Sequence, residues 1–231
     1  MNQQDLVEKY AYKGWCVMTT IVVNCLEKIQ MNHSLYTTQL VEDNVSINKD
    51  IAITMNDSIV AKNKIVPYTS LTTGGQKVYF DLAAYPFFER IHAAISAQGN
   101  NCGVLRFRRS GPSNECVGDI FVLSQLFGDI NQVYSVRREL EGKMHCIILC
   151  KFGNEVMAHI EYTTNSLERI EFEFSSSDQI IEFDSAEMVP TNLYNNMQYN
   201  VDCILRFAVE LNDTLLDTLR YIEEQVGGNC I

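Results

Sequence analysis

The chain has 231 residues, of which 46% are hydrophobic and 20% charged, and its formal net charge is -11. This balance is typical of a globular protein with a real core and excludes a disordered chain. The acidic charge argues against a sequence-independent grip on nucleic acid or on an anionic membrane, since both need a basic face.

The beginning of the chain, MNQQDLVEKY, lacks the charged-then-apolar pattern of a signal peptide. Apolar stretches such as IFVLSQLF are far shorter than the roughly 18 residues of a membrane helix. We therefore expect a cytoplasmic protein that binds neither nucleic acid nor membrane.

The first 75 residues are weakly patterned. A strand is predicted at CVMTTIVVNC, and short alternating pieces follow around SLYTTQLV, IAITM and KIVPYTS. Gly74 and Gly75 are the strongest turn signal in this half. We predict a boundary there, with residues 1–75 as a truncated or degenerate N-terminal α/β segment and residues 76–231 as a sheet domain.

Beyond this boundary the pattern is clearer. KVYFDL reads as a strand, and YPFFERIHAAISAQG as a helix that begins near Pro86 and stops at Gly99. CGVLRFRR then alternates as a strand does, and ECVGDIFVLSQLFG is an apolar helix that ends at Gly128.

Four strands follow in close order, INQVYSVRR, HCIILCKF, EVMAHIEYT and RIEFEFSS, with QIIEFD as a possible fifth. The second and third form a hairpin that turns at residues 152–154, and the apolar run CIIL indicates a central strand covered on both faces. The tail from residue 200 to 226 has helical spacing, and Asn212 with Asp213 suits the cap of a second helix. These elements predict an α+β fold: a largely antiparallel open β-sheet with helices packed on one face, plus the small N-terminal α/β segment.

This order of elements resembles the C-terminal domain of the Gfo/Idh/MocA family, named for glucose-fructose oxidoreductase and inositol dehydrogenase. The resemblance covers residues 76–226 and is carried by the helix ending in LFG and by the hairpin CIILCKFGNEVMAHIEY. It implies a sheet with one face under helices and the other against a second subunit, serving as substrate wall and oligomerisation platform.

Full-length relatives also imply a nucleotide-binding half with a glycine-rich turn, and this chain contains no G-x-G. The family's E-K-P lysine motif is absent too. Counting back from Gly128 puts the family's H-x-x-D motif at Gly118 and Phe121, which cannot transfer a proton. We predict no catalytic and no cofactor-binding residue, and we expect the nearby Asp119 to interact with its helix dipole.

A metal site is not predicted either. The eight cysteines lie mostly in apolar segments without C-x-x-C spacing, so we expect buried free thiols; they are Cys16, Cys25, Cys102, Cys116, Cys146, Cys150, Cys203 and Cys230. None of the four histidines lies beside a nucleophile motif; they are His33, His92, His145 and His159. We interpret the histidines as surface or core residues.

One dense basic cluster, LRFRRSG, offers a possible anion site. Arg106 and Arg108 share a strand face, and a phosphate or carboxylate is the ligand that such side chains prefer. The candidate anion-binding residues are Arg106, Arg108, Arg109, Arg137 and Arg138. The alternative is a solvated strand edge that the arginines protect from aggregation.

Two functions stay open. The favoured one is a non-catalytic relative that binds a second copy of itself, a partner protein or a small anionic metabolite. The alternative is an NAD(P)-dependent oxidoreductase subunit that acts with a cofactor domain from another chain. For the first, we expect an apolar patch of Val133, Ile147, Leu149 and Ile160 on the open sheet face, and two-fold self-association through it.

Overall fold

The computed structural model describes residues 20–24, 28–30, 37–40, 49–55, 59, 61–71, 76–97, 102–112, 115–153, 155–187 and 197–227. In these residues the chain forms two six-stranded sheets, one two-stranded sheet and five α-helices. No helix in this part of the chain is both long and apolar enough to cross a membrane.

The first sheet contains most of the N-terminal strands. Its strands are β1 (Thr20–Asn24), β3 (Thr37–Leu40), β4 (Lys49–Thr54), β5 (Ala61–Pro67), β6 (Lys77–Tyr79) and β14 (Val209–Glu210). They lie in the order β14-β6-β5-β4-β1-β3, and every pair is parallel except β14 with β6. Fully buried residues such as Ile21, Val23 and Ile53 face the core.

This sheet crosses the predicted domain boundary. Strands β6 and β14 extend it beyond residue 75, while Gly74 and Gly75 lie outside the described residues. The connections between its parallel strands at residues 41–48, 55–60 and 68–76 are shorter than the dozen or so residues of an ordinary helical crossover. The boundary itself stays a prediction.

A small parallel sheet joins the N-terminal half to the tail. It pairs β2 (Ile29–Gln30) with β13 (Tyr199–Asn200). Two residues per strand give few backbone hydrogen bonds, and the buried Ile29 supplies an apolar anchor.

The four longer helices follow the sequence signals, whereas a short helix begins at Asp81, inside the stretch KVYFDL that was predicted as a strand. The helices are α1 (Asp81–Ala84), α2 (Pro86–Ser96), α3 (Cys116–Phe127), α4 (Val201–Phe207) and α5 (Asp213–Gly227), and a 3-10 helix covers Tyr68–Ser70. Pro86 stands in the first turn of α2, where its missing N–H costs nothing. The Asn200 and Asn212 side chains accept backbone N–H groups at the starts of α4 and α5, so the tail is two capped helices.

The second sheet is the predicted open sheet. Its strands are β7 (Gly103–Gly111), β8 (Ile130–Leu140), β9 (Lys143–Phe152), β10 (Val156–Thr164), β11 (Arg169–Ser176) and β12 (Ile180–Asp184). They lie in the order β12-β11-β7-β10-β9-β8, and all pairs are antiparallel except β7 with β10. The α+β class is confirmed, with a mixed sheet instead of a purely antiparallel one.

The predicted hairpin is β9 and β10, with Phe152 opposite Val156. Within CIIL, Cys146 and Ile148 are buried under the helices, whereas Ile147 and Leu149 face the open side, and Leu149 is 45% exposed. Within this chain, the strand is therefore covered on one face and not on both.

Two residues assigned to the open face belong to the core. Ile160 is 0% exposed, and Val133 packs against the same core cluster. In β10, Val156, Ala158 and Ile160 share the buried face; in β8, a bulge between Ile130 and Gln132 shifts the register. The apolar residues that do face the open side with Ile147 and Leu149 are Val104, Tyr134, Val136 and Met157.

Candidate functional site: the Arg109 cluster

Arg109 is the most deeply buried cation among the described residues. It follows Leu105 and Phe107 on the inward face of β7 and is 4% exposed. Its Nη1 donates to both carboxylate oxygens of Asp119 on α3, at 2.9 and 3.0 Å. A buried guanidinium is tolerated only when such partners replace its lost hydration.

The other guanidinium nitrogen of Arg109 joins two further elements. Nη2 lies 3.3 Å from Oδ2 of Asp81, the first residue of α1, and 3.0 Å from Oε1 of Glu168, in the turn between β10 and β11. Asp81 directly follows Phe80 after β6 of the parallel sheet. Arg109 thus links the two large sheets through three carboxylates.

Three tyrosines complete the hydrogen bonding. Tyr162 donates to Oδ2 of Asp119 over 3.3 Å, and Tyr85 donates to Oε1 of Glu168 over 3.0 Å. Tyr199 is hydrogen-bonded to Asp81. Burial, which disfavours the charged phenolate, raises the pKa of all three hydroxyls.

Lys28 is the outermost member. Its Nζ lies 2.7 Å from Oε2 of Glu168 and 5.4 Å from the centre of the Tyr199 ring. Such a position combines an ion pair with a cation–π contact. We call Arg109, Asp119, Asp81, Glu168 and Lys28, with Tyr85, Tyr162 and Tyr199, the Arg109 cluster.

The pKa values of Asp119 and Glu168 are shifted in opposite directions, because burial dominates for Asp119 and ion pairing for Glu168. Burial raises the pKa of Asp119 to about 7, although Arg109 opposes the shift. For Glu168, burial would raise the pKa, but Lys28 and Arg109 together lower it. Because its folded-state pKa lies above the unfolded value, Asp119 favours folding most in acid, and this contribution falls as the pH rises towards 7.

A second buried contact lies beside Asp119. The ring of Tyr68 covers Gly118 so closely that a Cβ at residue 118 would stand 2.6 Å from Cε1 of Tyr68. The same ring stacks on Phe80, with the ring centres 5.2 Å apart. The Tyr68 hydroxyl is hydrogen-bonded to Glu115, and burial together with the charge of that carboxylate raises the tyrosine pKa.

The chemistry available to the Arg109 cluster is ion pairing. All three carboxylates that surround the guanidinium are engaged, and the tyrosine hydroxyls are held protonated by burial. Among the shifted groups of the cluster, Asp119 has the pKa nearest to neutral pH. Asp119, which we expected to interact with its helix dipole, forms a direct ion pair with Arg109.

The five candidate anion-binding arginines do not converge. Arg106 and Arg108 share the open face, as predicted, but pair with neighbouring carboxylates: Arg106 with Glu173, and Arg108 with Glu161 and Glu171. Arg109 points into the core. In β8, Arg138 lies opposite His145 on the open face and Arg137 lies opposite Cys146 on the helix face. Strands β7 and β8 are three positions apart in the sheet, roughly 14 Å.

Sequence reasoning missed the partners of Arg109, although one signal was visible. In LRFRR, Arg109 continues the inward phase of Leu105 and Phe107, and a charge in that phase needs a buried counter-charge. Asp119 stands in an otherwise apolar helix and is its natural partner. No local pattern identifies Lys28, Asp81 or Glu168, because each lies far from Arg109 in sequence.

The described thiols include Cys116, which lies three residues before Asp119 on α3 and interacts electrostatically with it. The described cysteines form no disulfide with one another; Cys116, Cys146, Cys150 and Cys203 are buried and Cys102 is exposed. Cys16, Cys25, Cys230 and His33 lie outside the described residues. Within the described part of the chain, no group of His, Cys, Asp or Glu is arranged to hold a metal ion.

A shallow groove of about 410 Å³ runs between the end of α3 and α5, lined by Asp129, Asp217 and Tyr221 among others.

The two large sheets and their helices give this chain a fold similar to that of an inositol dehydrogenase. The apo scyllo-inositol dehydrogenase from Lactobacillus casei is similar with a TM-score of 0.52 and 9% identity, covering 93% of this chain and 90% of that one. A likeness at this identity shows the fold alone.

Two further dehydrogenases are similar. Myo-inositol 2-dehydrogenase from Lactobacillus plantarum has a TM-score of 0.48 and 10% identity, covering 93% of this chain and 91% of that one. A dehydrogenase from Chromobacterium violaceum has a TM-score of 0.49 and 11% identity, covering 64% of this chain and 58% of that one. No family model and no curated protein matches the sequence.

Proposed function

We propose that the protein is a non-catalytic relative of the Gfo/Idh/MocA oxidoreductases that works by binding, first of all a second copy of itself, through the open face of the second sheet. The observation that supports this most is the packing of Tyr68 on Gly118. By resemblance, Gly118 and Phe121 stand where the family has its H-x-x-D motif. The Tyr68 ring fills the space that a side chain at residue 118 would need.

Phe121 adds to this support. Its ring lies 4.6 Å from that of Phe80, so the second position of the motif is also part of an aromatic core. A proton-transfer group needs a polar partner and access to a substrate. Both motif positions are instead packed with apolar or aromatic groups.

The carboxyl ends of the parallel strands support the same proposal. Open α/β sheets bind ligands in the crevice beyond these ends. Here Tyr68 follows β5 and Asp81 follows β6, and these side chains turn to Gly118 and to Arg109 respectively. Just beyond the carboxyl ends of β5 and β6, these side chains are thus engaged in contacts within the chain.

The open face has an apolar half and a charged half. On β8 and β9, Tyr134 lies opposite Leu149, and Val136 lies opposite Ile147. On β7 and β11, Arg106 lies opposite Glu173, and Arg108 lies opposite Glu171. An apolar patch beside paired charges suits a protein surface better than a small anion, which would have to displace those carboxylates.

The alternative function is supported by the parallel sheet. The strand order is β3-β1-β4-β5-β6, so the chain adds β3 on one side of β1 and the later strands on the other. Nucleotide-binding sheets have the same switch in strand order. An oxidoreductase subunit that works with a cofactor domain from another chain would keep such a remnant. Its nicotinamide site would then form only with that other chain.

Calorimetric titration with NAD⁺, NADH, NADP⁺ and NADPH tests the proposal, with a nicotinamide-dependent dehydrogenase as positive control. We expect no binding heat at high micromolar protein. A dissociation constant near 10 μM, equivalent to roughly 7 kcal/mol of binding free energy, would contradict it and favour the oxidoreductase alternative.

A further inference from the structure

We infer that residues Lys28–Gln30 form a strap that closes over the Arg109 cluster and opens as a local unit, admitting water to the cluster without unfolding either large sheet. The strap is defined by β2 and the residue before it. Lys28 provides its polar anchor and Ile29 its apolar one.

The position of the strap makes it a cover. Side-chain exposure falls from 36% at Lys28 to 17% at Glu168, 14% at Asp81 and 3% at Arg109. Lys28 is therefore the most exposed of these four residues. Its ammonium pairs with Oε2 of Glu168, the carboxylate oxygen that does not contact Arg109. Removal of Lys28 would leave Arg109 with all its partners but would uncover Glu168.

Among the residues that the structure describes, few bonds hold the strap. The Lys28 carbonyl accepts the N–H of Tyr199, and the two-residue pairing of β2 with β13 adds the remaining backbone contacts. The central strands of the second sheet have longer ladders; β10, for example, pairs with β7 over Val156–Thr164. Segments with few hydrogen bonds open with less free energy than core strands, so we expect the strap to open more readily than these strands.

The Lys28 side chain connects the strap to the cluster through one ring. Lys28 lies over Tyr199, which is hydrogen-bonded to Asp81 and packs on Tyr85 with the ring centres 5.0 Å apart. Tyr85 in turn donates to Glu168. Strap closure and the order of the outer cluster are thus coupled through Tyr199 and Glu168, whereas the Arg109–Asp119 pair lies deeper and does not touch the strap.

Hydrogen–deuterium exchange of the full chain tests this with Lys28→Met. We expect at least tenfold faster amide exchange in peptides covering residues 28–30 and 197–200, with unchanged exchange in β7, β9, β10 and β11. The matched control is Lys151→Met, which removes the ion pair of Lys151 with Glu155, also short at 2.8 Å but far from the strap. This control should exchange as the wild type does at the strap.

Lys28→Gln, which keeps a polar head, repeats the test if the methionine variant does not fold. Unchanged exchange at the strap would overturn the inference, because Lys28 would then not hold it. Equal acceleration in the strap and in both large sheets would also overturn it, since the strap would then not be a separate unit.

Discussion

At the scale of single residues, the interior is specified by a few close contacts that leave little choice of side chain. Arg109 needs three carboxylates, and removing any one partner would leave a buried charge partly uncompensated. Gly118 needs the absence of a side chain, because the Tyr68 ring occupies that space. These contacts join the two halves of the molecule.

Gly118→Ala should therefore destabilise the protein, although alanine is the better helix former by about 1 kcal/mol. The new Cβ would press on Tyr68, and overpacking of this kind costs about 1–3 kcal/mol. Urea unfolding would measure a net loss of up to about 2 kcal/mol in unfolding free energy.

The control is Gly227→Ala, since a Cβ there meets nothing within 4 Å. If the clash with the Tyr68 ring causes the loss, Gly118→Ala should cost less unfolding free energy in a Tyr68→Ala background than in the wild type. Equal stability of the two alanine variants and the wild type would show that the ring gives way at no cost.

At the scale of elements, the sequence predicts what local periodicity determines. The alternation of LRFRR and RIEFEF matches the buried and open phases of β7 and β11, and Pro86 and Asn212 mark helix starts correctly. The α+β class follows from these elements.

The sequence does not predict which strands pair with one another, because pairing depends on contacts between residues that are distant along the chain. The parallel pair of β7 with β10 requires α3, β8 and β9 to fold between them, which no local pattern encodes. The open-face assignments of Ile160 and Val133 were wrong because β10 carries apolar residues on both faces and β8 contains a bulge. The partners of Arg109 were missed because they come from separate elements.

The phase of β10 can be checked by paired truncations. Ile160→Ala should cost about 2–5 kcal/mol of unfolding free energy, because Ile160 is 0% exposed and its loss leaves a cavity. Met157→Ala, on the same strand but 53% exposed, should cost under about 1 kcal/mol when the monomer is measured at high dilution. A reversed order of the two losses in denaturant unfolding would mean that the phase is inverted.

At the scale of the whole molecule, charge favours the open face for self-association. On these strands, the side chains that lie on the open face include six cations and five carboxylates, a net charge of +1, whereas the chain carries -11. They are Arg106, Arg108, Arg138, Lys143, Lys151 and Arg169 against Glu161, Glu171, Glu173, Glu182 and Asp184. Two such faces meet with less repulsion than most other surfaces of an acidic molecule.

Light scattering at micromolar concentration should accordingly give about 53 kDa, twice the 26.3 kDa chain mass. A stable two-fold interface buries about 800 Å² per subunit, which a six-stranded face can supply. Leu149→Arg puts a charge in the apolar half and should give a folded monomer, because an unpaired buried charge costs several kcal/mol.

Leu167→Arg is the control for this last test, since Leu167 is 75% exposed in the turn between β10 and β11, away from the face. It should remain a dimer. A wild type that scatters as a clean 26.3 kDa species would reject self-association. A wild-type dimer that Leu149→Arg leaves intact would move the interface elsewhere. In either case Tyr134, Leu149 and Met157, all about half exposed, would be left for a different protein partner.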